Sequence, residues 1–157
     1  MPEICSTQVA LADDQATESL GRELAKRVRI GDCVLLSGPL GAGKTALARA
    51  LIRAKLGDTE AEIPSPSYTL VNVYEAAEGE IWHVDLYRVD EAESLDELGL
   101  EQAFGNALVL IEWPERLLTQ PRGGIRIDLG YRGVGREARI FVNGKTLDHI
   151  VLPEGCA

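Results

Sequence analysis

The stretch Gly38-Pro39-Leu40-Gly41-Ala42-Gly43-Lys44-Thr45 decides the fold of this chain, because it matches the phosphate-binding loop pattern G-x-x-x-x-G-K-[S/T]. The apolar run 34–36 precedes the match, and a segment with helical periodicity follows it and ends at Gly57. A strand, a glycine-rich loop and a helix in this order are the context in which the pattern binds phosphate. The sequence therefore predicts a nucleotide site, the alternative being a chance glycine-rich turn.

Each residue type in this loop suits the binding of an anion. Gly38, Gly41 and Gly43 have no side chain that would keep phosphate oxygens from the backbone N–H groups. Lys44 would place a positive charge near the β- and γ-phosphates, and the hydroxyl of Thr45 would ligate Mg²⁺. The N-terminus of the following helix adds partial positive charge.

Length and patterning predict one α/β domain. The 157 residues, 45% of them hydrophobic, suffice for one compact core, and we expect a single P-loop domain over residues 1–157. Strand-like and helix-like segments alternate. This predicts a P-loop NTPase-like fold, with a mainly parallel central sheet flanked by helices and with antiparallel additions. In such sheets ligands bind at the carboxyl ends of strands, where this loop lies.

The patterning also predicts where individual elements lie. Two prolines one residue apart hold 63–67 as a fixed extended loop, and the apolar run 107–111 indicates a strand covered on both faces. The other predicted elements are a helix over 13–28, a hairpin of strands 68–74 and 81–87, a helix around 91–98 with a break near Gly99, and strands over 124–129, 138–142 and 146–152 with a turn at Asn143-Gly144.

The charge of the chain limits its kinds of partner. The formal net charge of −9 argues against a protein that binds nucleic acid through a broad basic surface, so we expect a partner to hold any RNA. Arg132, Arg136 and Arg139 form a local basic cluster. This cluster could meet a phosphate or an acidic partner, or it could be a solvated charged face.

Cysteine usage and the N-terminus bear on the compartment. Cys5, Cys33 and Cys156 are widely spaced, which predicts neither a disulfide framework nor a zinc site, and we expect reduced thiols. The N-terminus has no basic segment followed by a long apolar run, and no stretch is long enough to cross a bilayer. We therefore expect a soluble cytoplasmic protein without membrane contact.

Two carboxylates are placed to complete a nucleotide-hydrolysing site. Glu112 directly follows the buried strand 107–111, where P-loop proteins carry a second metal-associated acid; the alternative is a surface acid at a strand end. Asp85 ends the run 81–84 and could face a metal-bound water or the attacking water, or it could cap the following turn. His83 could be a proton carrier or a packed strand residue.

Side chains on two further loops suit the edge of such a site. Trp113 follows Glu112 and is either a contact surface beside the metal or a core residue. Ser65 and Ser67 lie in the proline-fixed loop, which resembles a switch segment that senses the γ-phosphate through hydroxyl groups. A purely geometric role in the loop is the alternative.

Four linked motifs together resemble the bacterial TsaE (YjeE) ATPase family of tRNA N6-threonylcarbamoyladenosine (t6A) biosynthesis. The likeness extends over residues 10 to 140, and it is specific because the order and spacing of all four motifs agree. The motifs are Gly38–Thr45, Ser65-Pro66-Ser67-Tyr68-Thr69-Leu70-Val71, His83-Val84-Asp85-Leu86-Tyr87-Arg88 and Ile111-Glu112-Trp113-Pro114-Glu115.

This resemblance implies an enzyme that binds ATP and Mg²⁺ and hydrolyses ATP slowly by itself. It implies action with the TsaB–TsaD heterodimer, which transfers a threonylcarbamoyl group to the adenosine beside the anticodon of ANN-decoding tRNAs. ATP hydrolysis is expected to reset that complex between turnovers. The chain is expected to reach tRNA only indirectly, through the complex.

The resemblance also implies residue roles. Lys44, Asp85 and Glu112 are the expected catalytic residues, and Thr45 with Glu112 is expected to hold Mg²⁺. The expected nucleotide-binding residues are Asp14, Gly38, Gly41, Ala42, Gly43, Lys44, Thr45, Ala46, Trp113, Glu115 and Gly135.

Three positions depart from the family pattern. Pro39 stands where the family usually has Asp, and Ser67 replaces a Thr while keeping the hydroxyl. Ala46 replaces a common Thr, which removes a supplementary phosphate hydrogen bond.

Two other classes of protein share the P-loop. A small P-loop kinase of a metabolite or nucleotide needs an Arg-bearing lid, and no such segment is obvious in the sequence. A nucleotide-gated binding module or guanine-dependent switch is the third class. The guanine-reading N-K-x-D sequence is absent, because Asn143-Gly144-Lys145-Thr146 lacks its spacing.

Overall fold

The computed structural model describes residues 4–89, 98–121 and 124–143, which form one seven-stranded sheet with helices against it. The order of strands across the sheet is β1-β7-β6-β2-β5-β4-β3. In chain order the elements are β1 (Ile4–Leu11), α1 (Asp14–Arg27), β2 (Cys33–Ser37), α2 (Lys44–Leu56), β3 (Val71–Ala76), β4 (Gly79–Asp85), α3 (Leu100–Ala103), β5 (Leu108–Glu112), a 3-10 turn (Pro114–Arg116), β6 (Ile125–Arg132) and β7 (Gly135–Asn143).

Four neighbouring strands, β6, β2, β5 and β4, run parallel and form the centre of the sheet. Every residue of β5 is buried, as expected of a parallel strand covered on both faces. Strands β3, β7 and β1 are antiparallel additions. The predicted fold class is confirmed.

Helices α1 and α2 pack against each other and cover one face of the sheet. Gly21 permits the close approach, because a Cβ at this position would lie 2.4 Å from that of Ala50. Asp13 caps α1 by accepting a hydrogen bond from the backbone N–H of Ala16, and Gly57 ends α2 in a left-handed conformation. A second apolar cluster, which includes Leu100 of α3, covers the other face.

Several sequence predictions need correction. Strand β3 begins at Val71 rather than at residue 68, because 67–69 form a turn. Strand β1 was not predicted. The predicted helix around 91–98 lies outside the described residues except for its last position, and the predicted strand 146–152 lies outside them entirely.

The sheet divides the predicted basic cluster, since Arg136 lies on one face while Arg132 and Arg139 lie on the other. Successive side chains of a strand point to opposite faces, so Arg136 and Arg139 on β7 are separated by the sheet. Arg132 is paired in register with Gly135, which places it on the face opposite to that of Arg136. Its guanidinium lies 3.9 Å from the carboxylate of Glu137.

No helix within the described ranges combines the length and apolar character needed to cross a bilayer.

Candidate functional site

The P-loop connects the end of β2 to the first turn of α2 and is built around positive φ angles. Gly41 (φ +79°) is the third residue of a turn that the N–H of Ala42 closes on the carbonyl of Pro39, at 3.2 Å. Gly43 (φ +104°) precedes the helix. Gly38 (φ +144°) passes so close to β6 that a Cβ there would lie 2.4 Å from a backbone oxygen. These backbone angles explain the spacing of the glycines.

Lys44 is folded back into this loop. Its ammonium group donates to the carbonyls of Gly38 (2.5 Å) and Pro39 (2.9 Å) and lies 4.1 Å from the centre of the Trp113 ring. Burial lowers the pKa of Lys44, and nearby carboxylates, of which Glu112 is the strongest, oppose this shift. The positive charge is therefore held at the loop by weak acceptors that a phosphate could replace.

Glu112, the last residue of β5, is tied through both carboxylate oxygens. Oε1 accepts a hydrogen bond from the Thr45 hydroxyl at 2.6 Å, and Oε2 lies 2.7 Å from Nε2 of His83. An ionised carboxylate only accepts, so Nε2 of His83 carries the proton and donates. Both His83 and Glu112 are buried, with 0% and 2% of their surface exposed. Their orientation is thus fixed before any ligand binds.

These residues fit a magnesium ion. The hydroxyl oxygen of Thr45 and Oε1 of Glu112 lie 2.6 Å apart, and both residues line the cleft. Both are hard oxygen donors, and Mg²⁺ is commonly held by one or two protein oxygens together with phosphate and water. Thr45 and Glu112 would hold the ion beside the loop.

Asp85 ends β4 in register with Glu112 at the end of β5. Burial raises the pKa of Asp85, and the charge of Glu112 adds to the increase, while the hydrogen bond from the backbone N–H of Tyr87 (3.0 Å) lowers it. The two carboxylates thus lie side by side at the carboxyl edge of the sheet. That edge is where such sheets bind ligands.

The proline-fixed loop lies against the same edge. The backbone N–H of Asp85 donates to the carbonyl of Leu70 at 2.9 Å, and Leu70 itself adopts φ +68°. Ser65 and Ser67 hydrogen-bond to each other through their hydroxyl groups at 2.8 Å. A positive φ is costly for leucine, so the contact with Asp85 helps to hold an otherwise unfavourable turn.

Trp113 lies at the boundary between the core and the cleft. It adopts φ +62°, directly before Pro114, and its ring contacts that of Tyr87 at 5.0 Å between centroids. The turn brings the ring over the ammonium of Lys44. The two interpretations of Trp113 are therefore both partly right, since the residue is half-buried and also lines the cleft.

These groups surround an open cleft of about 470 Å³, within the size range of small-molecule sites. The cleft gathers residues from both ends of the sequence. Of the predicted residues, it is lined by Asp14, Gly41, Gly43, Lys44, Thr45, Ala46, Ser65, Ser67, Asp85, Glu112 and Trp113.

Four predicted nucleotide-binding residues do not line the cleft. Ala42 is buried beneath the loop, and Gly38 contacts β6 instead. Glu115 accepts a hydrogen bond from Ser37 at 3.4 Å. Gly135 begins β7, where a Cβ would come within 3.0 Å of a β1 carbonyl oxygen.

A family model, the threonylcarbamoyl adenosine biosynthesis protein TsaE, matches residues 11–138 of this chain. The chain belongs to the TsaE family. The matched range contains all four motifs and every residue that lines the cleft.

Individual TsaE proteins show the same relationship. The chain is 41% identical over 114 residues to the tRNA threonylcarbamoyladenosine biosynthesis protein TsaE of Rickettsia conorii, a match that covers 71% of this chain and 65% of that protein. It is 36% identical over 151 residues to the TsaE of Nostoc sp., with 92% and 91% covered. The chain thus spans just under two thirds of the Rickettsia protein.

A solved structure has the same fold. The crystal structure of YdiB from Bacillus subtilis superposes with a TM-score of 0.69 at 25% identity, covering 94% of this chain and 91% of that one. This agrees with a P-loop NTPase-like arrangement of a parallel sheet and flanking helices.

Sequence reasoning missed three residues that line the cleft: Leu40, Tyr87 and Arg88. Leu40 lies within the P-loop, and Tyr87 and Arg88 lie within the third motif, so their positions in the sequence were a usable signal. Arg88 stacks on the ring of Tyr68 at 4.6 Å. Arg136, which the sequence offered within a basic cluster that could meet a phosphate, lines the cleft from β7.

The buried pair of His83 and Glu112 leads to a prediction on stability. His83→Leu removes the donor to Oε2 and leaves that oxygen buried without its hydrogen bond, so we expect the free energy of unfolding to fall by about 1–3 kcal/mol. Urea denaturation measures this. His83→Gln, whose amide N–H can donate to the same oxygen, should lower the free energy of unfolding by clearly less than His83→Leu does. Equal losses in the two variants would show that packing, and not the hydrogen bond, is what His83 supplies.

Proposed function

We propose that this TsaE-family protein is a Mg²⁺-dependent ATPase that acts with a TsaB–TsaD complex in t6A modification of tRNA. The observation that carries the proposal is the 2.6 Å contact between Thr45 of the P-loop and Glu112 of β5. It joins the phosphate loop to a buried acid on a neighbouring strand, which is the arrangement that P-loop hydrolases use for the metal.

Each group has a separate part in the proposed hydrolysis. Lys44 exchanges its carbonyl acceptors for the β- and γ-phosphate oxygens, while Thr45 and Glu112 hold the ion. When bound, Mg²⁺ neutralises the charge that develops on the phosphates. Asp85, which lies beside Glu112 in the sheet register, orients the attacking water.

The role in tRNA modification rests on the family and on charge. TsaE relatives carry the name of the t6A pathway. The net charge of −9 makes this chain a poor ligand for an RNA backbone, which supports contact with tRNA only through the partner complex.

Reconstitution tests the proposal. The purified protein is added with ATP and Mg²⁺ to TsaB–TsaD and unmodified tRNA, and t6A is measured over several turnovers. We expect modification to continue beyond one turnover only when the protein and hydrolysable ATP are both present. Product analysis should show ADP and free phosphate. A phosphorylated small molecule in place of free phosphate would instead identify a P-loop kinase.

Substitution of Asp85 should lower the rate of ATP hydrolysis more than the affinity for ATP. Asp85→Asn keeps the size of the side chain and the oxygen that accepts from Tyr87, but it removes the charge that polarises water. We expect the hydrolysis rate to fall roughly 100-fold and the affinity for ATP to change less than about threefold. Steady-state phosphate release and calorimetry measure the two quantities. A normal rate would assign Asp85 to the structure of the turn.

A further inference from the structure

The hairpin of β6 and β7 contacts the P-loop from outside the cleft. The hydroxyl of Tyr131 donates to the carbonyl of Leu40 at 2.7 Å, and Nε of Arg136 donates to the carbonyl of Gly41 at 3.0 Å. Tyr131 and Arg136 face each other in the hairpin register. Arg136 also lines the cleft, whereas Tyr131 does not. Tyr131 thus contacts the backbone of the loop without facing the ligand.

The carbonyl that Tyr131 holds belongs to the central peptide of the turn from Pro39 to Ala42. In a β-turn this peptide has two orientations about 180° apart, type I and type II, and φ near +80° at the third residue marks type II. Gly41, at the third position, has φ +79°. The hydrogen bond from Tyr131 therefore stabilises one of the two orientations.

Fixing the carbonyl also fixes the N–H of the same peptide. The described residues contain no cis peptide bonds, and in a planar trans peptide C=O and N–H point in opposite directions. The carbonyl of Leu40 faces Tyr131 on the outer side, so the N–H of Gly41 faces the inner side of the loop. Gly41 lines the cleft.

We propose that Tyr131 is a positioning residue for phosphate binding, whose hydroxyl holds the Leu40–Gly41 peptide with its N–H toward the phosphate groups of the nucleotide. This inference rests on the proposed nucleotide site and adds to it a residue that acts through the backbone. The loop is organised before the ligand arrives, so binding does not have to reorient the peptide.

The contact also explains why position 41 is glycine. A Cβ on Gly41 would lie 2.7 Å from the hydroxyl oxygen of Tyr131, in addition to being strained at φ +79°. A larger residue would both disfavour this turn and displace the hydroxyl that holds it. Gly41 and Tyr131, 90 positions apart in the sequence, therefore act together to hold the turn in this conformation.

Tyr131→Phe tests the proposal, because it removes only the hydroxyl and keeps the half-exposed ring. Calorimetric titration measures Kd for ADP and for tripolyphosphate. We expect both values to rise by about three- to tenfold, because binding must then reorient the peptide, while the melting temperature falls by no more than about a few degrees. Tyr74→Phe is the matched control, since Tyr74 lies on β3 outside the cleft, and both Kd values should stay within twofold of the wild type.

Other outcomes separate the two proposals. Unchanged Kd values in Tyr131→Phe would overturn the role of the hydroxyl while leaving the nucleotide site intact. A rise for ADP without a rise for tripolyphosphate would also overturn it, because the effect would then concern the nucleoside and not the phosphates. Failure of the wild-type protein to bind either ligand would overturn the nucleotide site itself, and the inference with it.

Discussion

Glu112→Gln should lower the rate of Mg²⁺-dependent ATP hydrolysis by about 100- to 1000-fold. The substitution removes the negative charge that would hold the ion, and loss of a preorganised electrostatic group at such a site typically has an effect of this size. The fold should persist, because the amide oxygen can still accept from Thr45 and the amide NH2 can donate to Nε2 of His83 once the ring proton moves to Nδ1.

Phosphate release measured over a range of Mg²⁺ concentrations tests this, together with ADP affinity in the presence of EDTA. We expect the metal-free affinity to remain within about threefold of the wild-type value, since the phosphate cradle is intact. Glu101→Gln is a suitable control, because Glu101 is an exposed carboxylate of α3 outside the cleft. Wild-type turnover in Glu112→Gln would remove Glu112 from the metal.

Lys44→Met should weaken ATP binding by about 10- to 100-fold. The ammonium of Lys44 makes no ion pair within hydrogen-bond range in the described residues, where its partners are two carbonyls and the face of Trp113. It is available to phosphate oxygens, and a hydrogen bond to a charged group contributes about 1.5–3 kcal/mol. Methionine is unbranched and of similar length, so the buried position should tolerate it.

Lys55→Met provides a matched comparison on the same helix. Lys55 also donates to a backbone carbonyl, that of Val28 at 2.6 Å, but it lies at the far end of α2 from the cleft. Both variants lose such a bond, and only Lys44→Met loses a phosphate ligand. Calorimetric titration with ATP should separate them. Equal affinities in the two variants would mean that Lys44 does not contact phosphate.

The centre of the fold could be predicted from the sequence because its signals are local. The run 107–111 is apolar throughout, as a doubly covered parallel strand must be, and the P-loop fixes a strand before it and a helix after it. The positions of Asp85 and Glu112 could be predicted for the same reason. Each residue ends a buried strand, and parallel strands present their carboxyl ends at one edge of the sheet.

The edges of the fold depend on partners that are distant in sequence. Strand β1 has a mixed polar and apolar pattern and forms because it pairs along its whole length with β7, more than 120 residues away. The β6–β7 hairpin turns at 133–134, where the sequence has no Asn-Gly pair. Such a pair occurs at Asn143-Gly144, and the sequence therefore predicts a turn at that position instead. The predicted turn there remains a prediction.

The same limit applies to the site. Arg136 and Tyr131 reach the P-loop only because the sheet order places β6 beside β2 and β7 beside β6. Sequence patterns give the type of each element and the chemistry of its ends, but they do not give the order of strands across a sheet. Sequence reasoning therefore did not find Tyr131, whereas it named Arg136 through the basic cluster that could meet a phosphate.

The register of three parallel strands has a consequence for how the protein matures. The phosphate loop follows β2, Asp85 ends β4 and Glu112 ends β5, and β5 lies between the other two strands in the sheet. A chain still emerging from the ribosome therefore has its phosphate loop long before it has the strand that carries Glu112, the proposed metal ligand. Nucleotide with its metal ion should stabilise only molecules in which β5 has inserted, so the ligand favours the completed sheet over its partly folded precursors.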